Sequence, residues 1–233
     1  QRTPGSHSGA SGRLLRRAHR RAQKDPRSFL GECVDKGAVI DEIQRTPDLL
    51  SYIQGIVDTN NKPGLFILTG SQNLQLLHVV SQSLAGRTAL AVLLPFSYSE
   101  VYSHAAIPID KVLYTGFYPG IHDKRLEPAE ALSFYVSTYL ERDMRAVINI
   151  KDLSKFETFL KLCAGRAAQI LNLSNLANDC GINHNTANSW LSALEASYIV
   201  FLVRPHHANF GKRLIKAPKL YFTDVGLAAN LLG

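Results

Sequence analysis

The sequence has few cysteines and lacks the features that would place it in a membrane or an export pathway. Its three cysteines, Cys33, Cys163 and Cys180, lie far apart and form no CxxC or Cys/His pair with the spacing of a metal site, so we expect reduced, structural thiols. The longest apolar stretch, residues 88–96, contains Pro95 and is far shorter than the roughly 18 residues of a membrane-spanning helix. The first residues lack the charged, apolar and small-residue order of a secretion signal. We therefore expect a cytoplasmic protein with no membrane partner.

Histidine offers no better metal site. Eight histidines are scattered along the chain, and the adjacent pair His206-His207 has no acidic or cysteine partner nearby in sequence. The composition, 45% hydrophobic and 19% charged, is that of an ordinary soluble globular protein. The sequence therefore predicts a folded core without a structural metal.

The net charge of +7 is confined to the amino-terminal segment. Residues 1–28 hold eight basic side chains against one acid, Asp25, and the rest of the chain holds equal numbers of basic and acidic residues. From Gln1 to about Lys24 the sequence is rich in Gly, Ser, His and Arg and nearly free of large apolar residues, which predicts a tail that is disordered or only partly helical. The high pI therefore indicates nothing about a basic face on the folded part.

The apolar pattern after this tail predicts strands alternating with helices. The predicted elements are a strand at 38–40, a helix at 48–57, a strand at 65–68, a helix at 74–84 and a strand at 89–94. Continuous apolar strands are typical of parallel sheets buried on both faces, in which a right-handed crossover joins neighbouring strands. Folded structure is expected to begin near Asp25.

Beyond about Pro119 the pattern becomes helical. Pro128 suits the first turn of a helix, and Ser154 with Glu157 forms a capping box for a further helix that stops at Gly165. A helix from Ser174, a turn at Gly181, a second helix at 183–196 and a hairpin follow, which is the order of a winged helix. The predicted hairpin consists of strands at 198–203 and 214–215 with a turn at 206–211. The second helix is predicted to pack inward through Ala187, Trp190, Leu191 and Leu194.

Asp41 and Glu42 end the first predicted strand. A P-loop ATPase needs two such carboxylates opposite its phosphate loop, because the first holds Mg²⁺ with its waters and the second polarises the attacking water. Asp and Glu also cap helices, and the pair alone leaves that alternative open. The next strand ends at Thr69, followed by further polar residues, at the edge where ligands of parallel sheets bind.

Five segments resemble AAA-type ATPases common in bacteria and archaea, from about Asp25 to the last residue. AVIDEIQR at 38–45, FILTGSQN at 66–73 and SLAGR at 83–87 are similar to the ATPase core, and YLERD at 139–143 and KLYFTDVGL at 219–227 to the uncharacterised carboxy-terminal domain that follows it. The resemblance implies ATP and Mg²⁺ as cofactors of the complete protein. It implies Asp41 as the Walker B magnesium carboxylate, Glu42 as the catalytic base, and a sensor-1 region that contains Thr69, Ser71, Gln72 and Asn73.

Arg87 has two interpretations. The resemblance makes it a candidate arginine finger or phosphate sensor, and the alternative is a surface or interface salt bridge.

The family's phosphate-binding loop is missing, because no GxxxxGK[ST] occurs in the sequence. Either the chain is a degenerate member or it is a fragment whose first residues are translated out of frame, and the abrupt change to an Arg/Ser/Gly-rich run favours the second. Without the loop, we expect the carboxylates to repel unchelated phosphate and lower nucleotide affinity.

Two functions therefore stay open. The first is an ATP-binding AAA-type ATPase that hydrolyses ATP in its complete form; the second is a catalytically inactive winged-helix adaptor for DNA or protein. The second helix carries no Arg or Lys among its exposed residues, which weakens the DNA interpretation and favours domain packing or a homo-oligomer. The residues concerned are His184, Asn185, Asn188 and Ser189 on the helix, and Lys212, Arg213, Lys216 and Lys219 on the hairpin that follows.

The predicted fold class is α/β, a partial P-loop parallel sheet of an AAA-type core followed by a helical, winged-helix-like domain. The predicted domains are a tail at 1–28, the core at 29–118, a helical connector at 119–165 and the winged-helix-like domain at 166–233. An ion network on a helix surface is expected from Glu141, Arg142, Asp143 and Arg145.

Overall fold

A computed structural model describes residues 21–22, 24–60, 62–70, 80, 84–103, 106–140, 144, 150, 152–206 and 216–233. The chain divides into two compact units, residues 1–91 and 92–233. The segment 92–118, which the sequence grouped with the sheet, belongs to the second unit, where the backbone N–H of Phe117 donates to Asp224 at 2.6 Å. Among the described residues, no helix is both long and apolar enough to span a bilayer.

The first unit contains a strand–helix–strand arrangement. Its elements are α1 (Pro26–Gly31), β1 (Ala38–Ile40), α2 (Leu49–Asn60) and β2 (Phe66–Leu68), with a 3-10 turn at Ile43–Arg45. The strands pair in parallel, Ala38 opposite Phe66 and Ile40 opposite Leu68, as the sequence predicted. The apolar face of α2 closes the core because the largest buried side chains of this unit cluster there: Leu30, Ile43, Leu49, Leu50 and Ile53.

Regular structure begins inside the predicted tail. Arg21, Ala22 and Lys24 are helical, and Ala22 is buried against the core of the first unit. Asp25 then caps α1, because its side chain accepts the N–H of Ser28 at 3.0 Å. Residues 1–20 lie outside the described part of the chain.

Two expectations about the sheet are wrong. Val39 and Ile67, opposite each other in the register, are 68% and 58% exposed, so one face of the strand pair is open rather than buried. The predicted strand at 89–94 has no regular structure, and Leu93 is 98% exposed. A strand needs a hydrogen-bonding neighbour as well as apolar residues, and among the described residues β1 and β2 pair with each other alone. Of the predicted helix at 74–84, only Val80 and Leu84 are described.

The second unit is mainly helical. Its elements are α3 (Tyr98–Tyr102), α4 (Ile109–Thr115), α5 (Pro119–Lys124), α6 (Pro128–Phe134, continued by a π-helical turn Tyr135–Leu140), α7 (Leu153–Ala164), α8 (Leu173–Cys180), α9 (His184–Ala196), β3 (Val200–Val203), β4 (Lys219–Phe222) and α10 (Val225–Leu232). Pro128 opens α6 as predicted. The cap of α7 is Asp152, which accepts the N–H of Lys155 at 3.1 Å, rather than the predicted Ser154.

The core of this unit lies between α7 and the α8–α9 pair. The rings of Phe156 and Phe159 pack edge-on against Trp190, with centroids 5.3 and 5.4 Å apart. The predicted inward face of α9 is confirmed, because Ala187, Trp190, Leu191 and Leu194 are all buried. The helix begins where the sequence predicted, and Asn183 caps it through a bond from the N–H of Thr186 at 2.8 Å.

The hairpin after α9 differs from the prediction. β3 pairs antiparallel with β4, Val200 opposite Phe222 and Val203 opposite Lys219. The predicted return strand at 214–215 and nearly all of the predicted turn at 206–211 lie outside the described residues. β4 inserts Leu220 and Phe222 into the core and leaves Lys219 outside, which is the alternation of a half-buried strand. The four residues of the predicted ion network also lie outside the described part of the chain: Glu141, Arg142, Asp143 and Arg145.

The last helix closes the second unit. α10 packs against α4, α6 and α7, and the buried carboxylate of Asp224 caps it by accepting the N–H of Leu227 at 2.7 Å. Burial raises the pKa of Asp224, against the lowering effect of the N–H bonds from Leu227, Phe117 and Gly226. Asp224 thereby joins α10 to the Gly116-Phe117 turn.

Candidate functional site

The candidate site lies where β1 and β2 end. The parallel register ends with Ile40 opposite Leu68, so Asp41 and Thr69 follow at the same edge. The backbone keeps the two strand ends together, because the N–H of Thr69 donates to Ile40 at 2.9 Å and the N–H of Ile43 to Thr69 at 3.1 Å. Polar side chains that follow neighbouring parallel strands are thereby placed next to each other.

Asp41 and Thr69 contact each other directly. The Thr69 hydroxyl donates a hydrogen bond to Oδ1 of Asp41. Thr69 is half-buried and Asp41 is exposed, so the bond fixes one carboxylate oxygen while the carboxylate as a whole remains accessible to solvent. The arrangement presents an oriented anion at the edge of the sheet.

Glu42 occupies a strained turn directly after Asp41. Its backbone has φ 54° and ψ 46°, the left-handed region, which costs a non-glycine residue about 1–3 kcal/mol. Buried Ile43 and its hydrogen bond to Thr69 hold the turn in place. Nε2 of Gln44 donates to Oε2 of Glu42 at 2.6 Å, and Nε of Arg45 lies 3.7 Å from the same oxygen. The Glu42 carboxylate is therefore held by its own turn.

Arg87 is engaged elsewhere. Its guanidinium forms a two-pronged ion pair with Asp58 on α2, with Nε to Oδ1 at 2.5 Å and Nη2 to Oδ2 at 3.1 Å. The hydrogen bond from Arg87, more than the attraction of its charge, lowers the pKa of the Asp58 carboxyl, and the same contact raises the pKa of Arg87. This pair ties the turn at 84–87 to the end of α2.

The structure brings together some of the residues that the sequence singled out. Asp41 and Thr69 are in contact, Glu42 is adjacent, and Arg87 bonds Asp58. Ser71, Gln72 and Asn73 lie outside the described residues. Sequence reasoning assigned no role to Gln44, Arg45 or Asp58. Gln44 and Arg45 follow the Asp-Glu pair closely, so their position in the sequence could have indicated contacts with it. Nothing in the sequence indicates that Asp58 pairs with Arg87, which is 29 positions away.

No other part of the described chain offers a comparable site. Among the described residues, no group of three or more His, Cys, Asp or Glu side chains is arranged to hold a metal ion. Burial raises the pKa of Cys163 to about 12, so this thiol stays protonated. An open groove of about 570 Å³ lies between α1 and α2. Of the lining residues that the structure describes, Arg27 and Tyr52 are ionisable, and neither belongs to the Asp41 edge.

The chain matches two described families. Residues 107–233 match a domain of unknown function (DUF8612), and residues 13–102 match an AAA domain. An uncharacterized protein of Mycobacterium bovis and one of Mycobacterium tuberculosis are each 32% identical to it over 196 residues, which cover 83% of this chain and 44% of each relative. The chain thus spans less than half the length of these curated relatives. No solved structure gives a significant match.

Proposed function

Because the chain belongs to the DUF8612 family and carries an AAA-type, ATPase-like region ahead of that domain, we propose that the complete protein is an ATPase that binds ATP with Mg²⁺. The contact between Asp41 and Thr69 at the carboxyl edge of the parallel strands carries this proposal. Ligands of such sheets bind at that edge. The AAA match over residues 13–102 includes both strands.

The donor set at Asp41 fits Mg²⁺. This ion takes one or two carboxylates, retains several waters and completes its shell with phosphate oxygens, so a single exposed carboxylate is a suitable protein ligand. Bound Mg²⁺ would neutralise the charge of the transferred phosphoryl group. The proposed role of Thr69 is to orient Asp41 for this contact. Thr69, Ser71, Gln72 and Asn73 stay predicted as residues that sense the γ-phosphate.

Glu42 is the proposed general base. A carboxylate at this position orients the attacking water and accepts its proton. In the structure Gln44 and Arg45 hold the Glu42 carboxylate, so its use as a base requires that these contacts rearrange. For Arg87, the ion pair with Asp58 supports a structural salt bridge over an arginine finger.

Calorimetric titration with Mg-ATP tests the proposal. This chain is compared with a form extended at its amino end by a strand and a Gly-rich loop ending in Gly-Lys-Thr. We expect binding by the extended form alone. In that form, Glu42→Gln should retain binding and lose hydrolysis, whereas Asp41→Asn should weaken the Mg²⁺-dependent part of binding.

Asp48→Asn is the matched control, because Asp48 is an exposed acid of the same unit outside the site. It should leave binding and hydrolysis unchanged. If the extended form binds no Mg-ATP, or if Asp41→Asn and Asp48→Asn have the same effect, the proposed site is wrong.

The carboxy-terminal unit supports a second candidate function. α8 and α9 are joined by the short turn 181–183 and are followed by the β3–β4 hairpin, the element order of a winged-helix-like binding module. The face of α9 that contains His184, Asn185, Asn188 and Ser189 is exposed. A binding module of this kind can act as an adaptor for DNA or protein without ATP chemistry.

A further inference from the structure

The outer face of the β3–β4 hairpin presents an aromatic pair to solvent. Phe201 and Tyr221 are directly opposite in the register, and their rings are stacked with centroids 5.5 Å apart and planes 17° apart. Phe201 is 44% exposed and Tyr221 is half-buried. Val203 is exposed further along the same face, and Ile170, which bridges to Lys219, is 67% exposed. We call Ile170, Phe201, Val203, Lys219 and Tyr221 the hairpin face.

Packing of the second unit does not account for this ring pair. The opposite face of the hairpin supplies the core, because Val200, Leu220 and Phe222 are buried there. Phe201 and Tyr221 instead form a flat aromatic surface beside other exposed apolar side chains. A contiguous exposed apolar patch of this type marks an interaction site more often than a scattered apolar residue does.

Basic residues are concentrated in the segment of sequence that contains the hairpin. Residues 197–223 contain five basic residues and no Asp or Glu; the basic residues are Arg204, Lys212, Arg213, Lys216 and Lys219. The three that are described, Arg204, Lys216 and Lys219, are exposed and make no ion pair among the described residues. By contrast, Lys161 pairs with Glu157. The sequence outside 1–28 is neutral as a whole, so the hairpin is a local concentration of positive charge.

We propose that the hairpin face binds single-stranded DNA, with bases stacked on Phe201 and Tyr221 and phosphates bound by Arg204, Lys216 and Lys219. Surfaces that bind single strands combine aromatic rings, on which any base can stack, with basic side chains along the backbone. The proposal rests on the second candidate function, since it names the partner of the binding module, and it is independent of ATP chemistry.

Single-stranded DNA fits better than the alternatives. Duplex DNA would have to be held by α9, whose exposed residues carry no Arg or Lys, and its paired bases could not stack on the rings. An acidic peptide would pair with the basic side chains, but its carboxylates would not stack on the rings of Phe201 and Tyr221 as nucleic-acid bases do. Single-stranded RNA would offer similar bases and the same phosphates, and the comparison of oligothymidylate with oligouridylate separates the two.

The test is fluorescence anisotropy of this chain with a labelled oligothymidylate of about 16 nucleotides, a length that spans such a site. Phe201→Ala with Tyr221→Ala should weaken binding at least about five-fold, because the rings on which the bases stack are removed. Phe134→Ala is the matched control, since Phe134 is a 69% exposed ring on α6, and it should leave the affinity unchanged.

A second variant pair tests the charges and does not alter the rings. Lys216→Glu with Lys219→Glu should weaken binding and lower its salt dependence by about 0.7 in logarithmic slope for each phosphate that is no longer bound. Lys111→Glu with Lys124→Glu makes the same change in net charge at exposed positions of α4 and α5. The control pair should therefore have the smaller effect. Circular dichroism checks that each variant is folded, and Phe201→Leu with Tyr221→Leu replaces any alanine pair that is not.

The basic segment 1–28 is the main competing site, because it also attracts polyanions. Ultraviolet crosslinking of the oligothymidylate followed by peptide mapping should identify the peptides that contain Phe201 and Tyr221. The proposal is overturned if crosslinks fall only within 1–28, or if the ring variants and Phe134→Ala bind equally well. Tighter binding of duplex DNA, oligouridylate or a polyglutamate peptide than of oligothymidylate would also overturn it.

Discussion

At the scale of single residues, the contact between Gly116 and Gly226 leaves no room for a side chain on either residue. A Cβ placed on Gly226 would lie 2.5 Å from the Cα and the backbone nitrogen of Gly116. Gly116 itself has φ 59° and ψ −157°, a conformation that only glycine adopts readily. The contact lets Asp224 reach the N–H of Phe117.

We expect Gly226→Ala to lower the free energy of unfolding by about 3 kcal/mol, because the new methyl group would meet backbone that cannot turn aside. Gly120→Ala is the matched control, since a Cβ on Gly120 in α5 meets no atom within 4 Å. It should change stability by less than about 1 kcal/mol. Urea denaturation of the two variants measures the difference, and equal stabilities would show that the backbone adjusts at Gly226.

Contacts between site residues could be predicted from the sequence where they follow from the order of the strands along the chain. The pairing of Asp41 with Thr69 follows from the rule that neighbouring parallel strands end at the same edge, and both strands were visible as apolar runs. The contacts of Asp58 with Arg87 and of Asp224 with Phe117 could not be predicted. They depend on tertiary packing between residues 29 and 107 positions apart.

At the scale of elements, side-chain caps fix the starts of α7, α8, α9 and α10. Asp152, Asn172, Asn183 and Asp224 each accept a backbone N–H from the residue three positions later. These bonds satisfy amides that have no partner within the helix, and a missing cap of this kind costs about 1 kcal/mol.

Asn183→Ala should therefore destabilise the second unit by about 1 kcal/mol, because the N–H of Thr186 loses its acceptor. Asn188→Ala removes the same side chain from an exposed position inside α9 and should be neutral or slightly stabilising, since alanine has the higher helix propensity. Thermal unfolding followed by circular dichroism compares them. If Asn188→Ala costs as much as Asn183→Ala, the cap is not the cause.

The elements that the sequence predicted well are those set by local signals. Asn183 and Gly181 bound α9 and α8 because caps and left-handed glycines act over a few residues. The strand predicted at 89–94 failed because a strand depends on a partner that composition does not reveal. The cap of α7 was placed two residues late because Asp152 and Ser154 are both good caps, and packing decided between them.

At the scale of the whole molecule, each unit has a core of its own. Every buried residue of one cluster lies between Ala22 and Leu84, and every buried residue of the other between Ile121 and Leu231. The sequence predicted an α/β part followed by a helical part because the hydrophobic period changes along the chain. The predicted end of the α/β part at residue 118 lies within the second compact unit, which begins at residue 92.

Separate cores predict separate responses to core substitutions. Phe159→Ala, at a fully buried ring of α7, should cost about 3–5 kcal/mol and reduce hydrogen-exchange protection in α7, α8 and α9 while α2 remains protected. Ile53→Ala in α2 should give the reverse pattern. Hydrogen exchange measured by mass spectrometry resolves the two sets of peptides. Reduced protection in both units from either substitution would mean that they unfold together.

The hydrogen bond between Phe117 and Asp224 joins residues that the ribosome adds at different times. A ribosome adds about 5–20 residues per second, and 107 positions separate the two residues, so the Phe117 amide is made roughly 5–20 s before its acceptor exists. During that interval the surfaces of α4, α6 and α7 that α10 will cover remain open. The nascent second unit therefore exposes, until α10 has been translated, surface of the kind that chaperones cover.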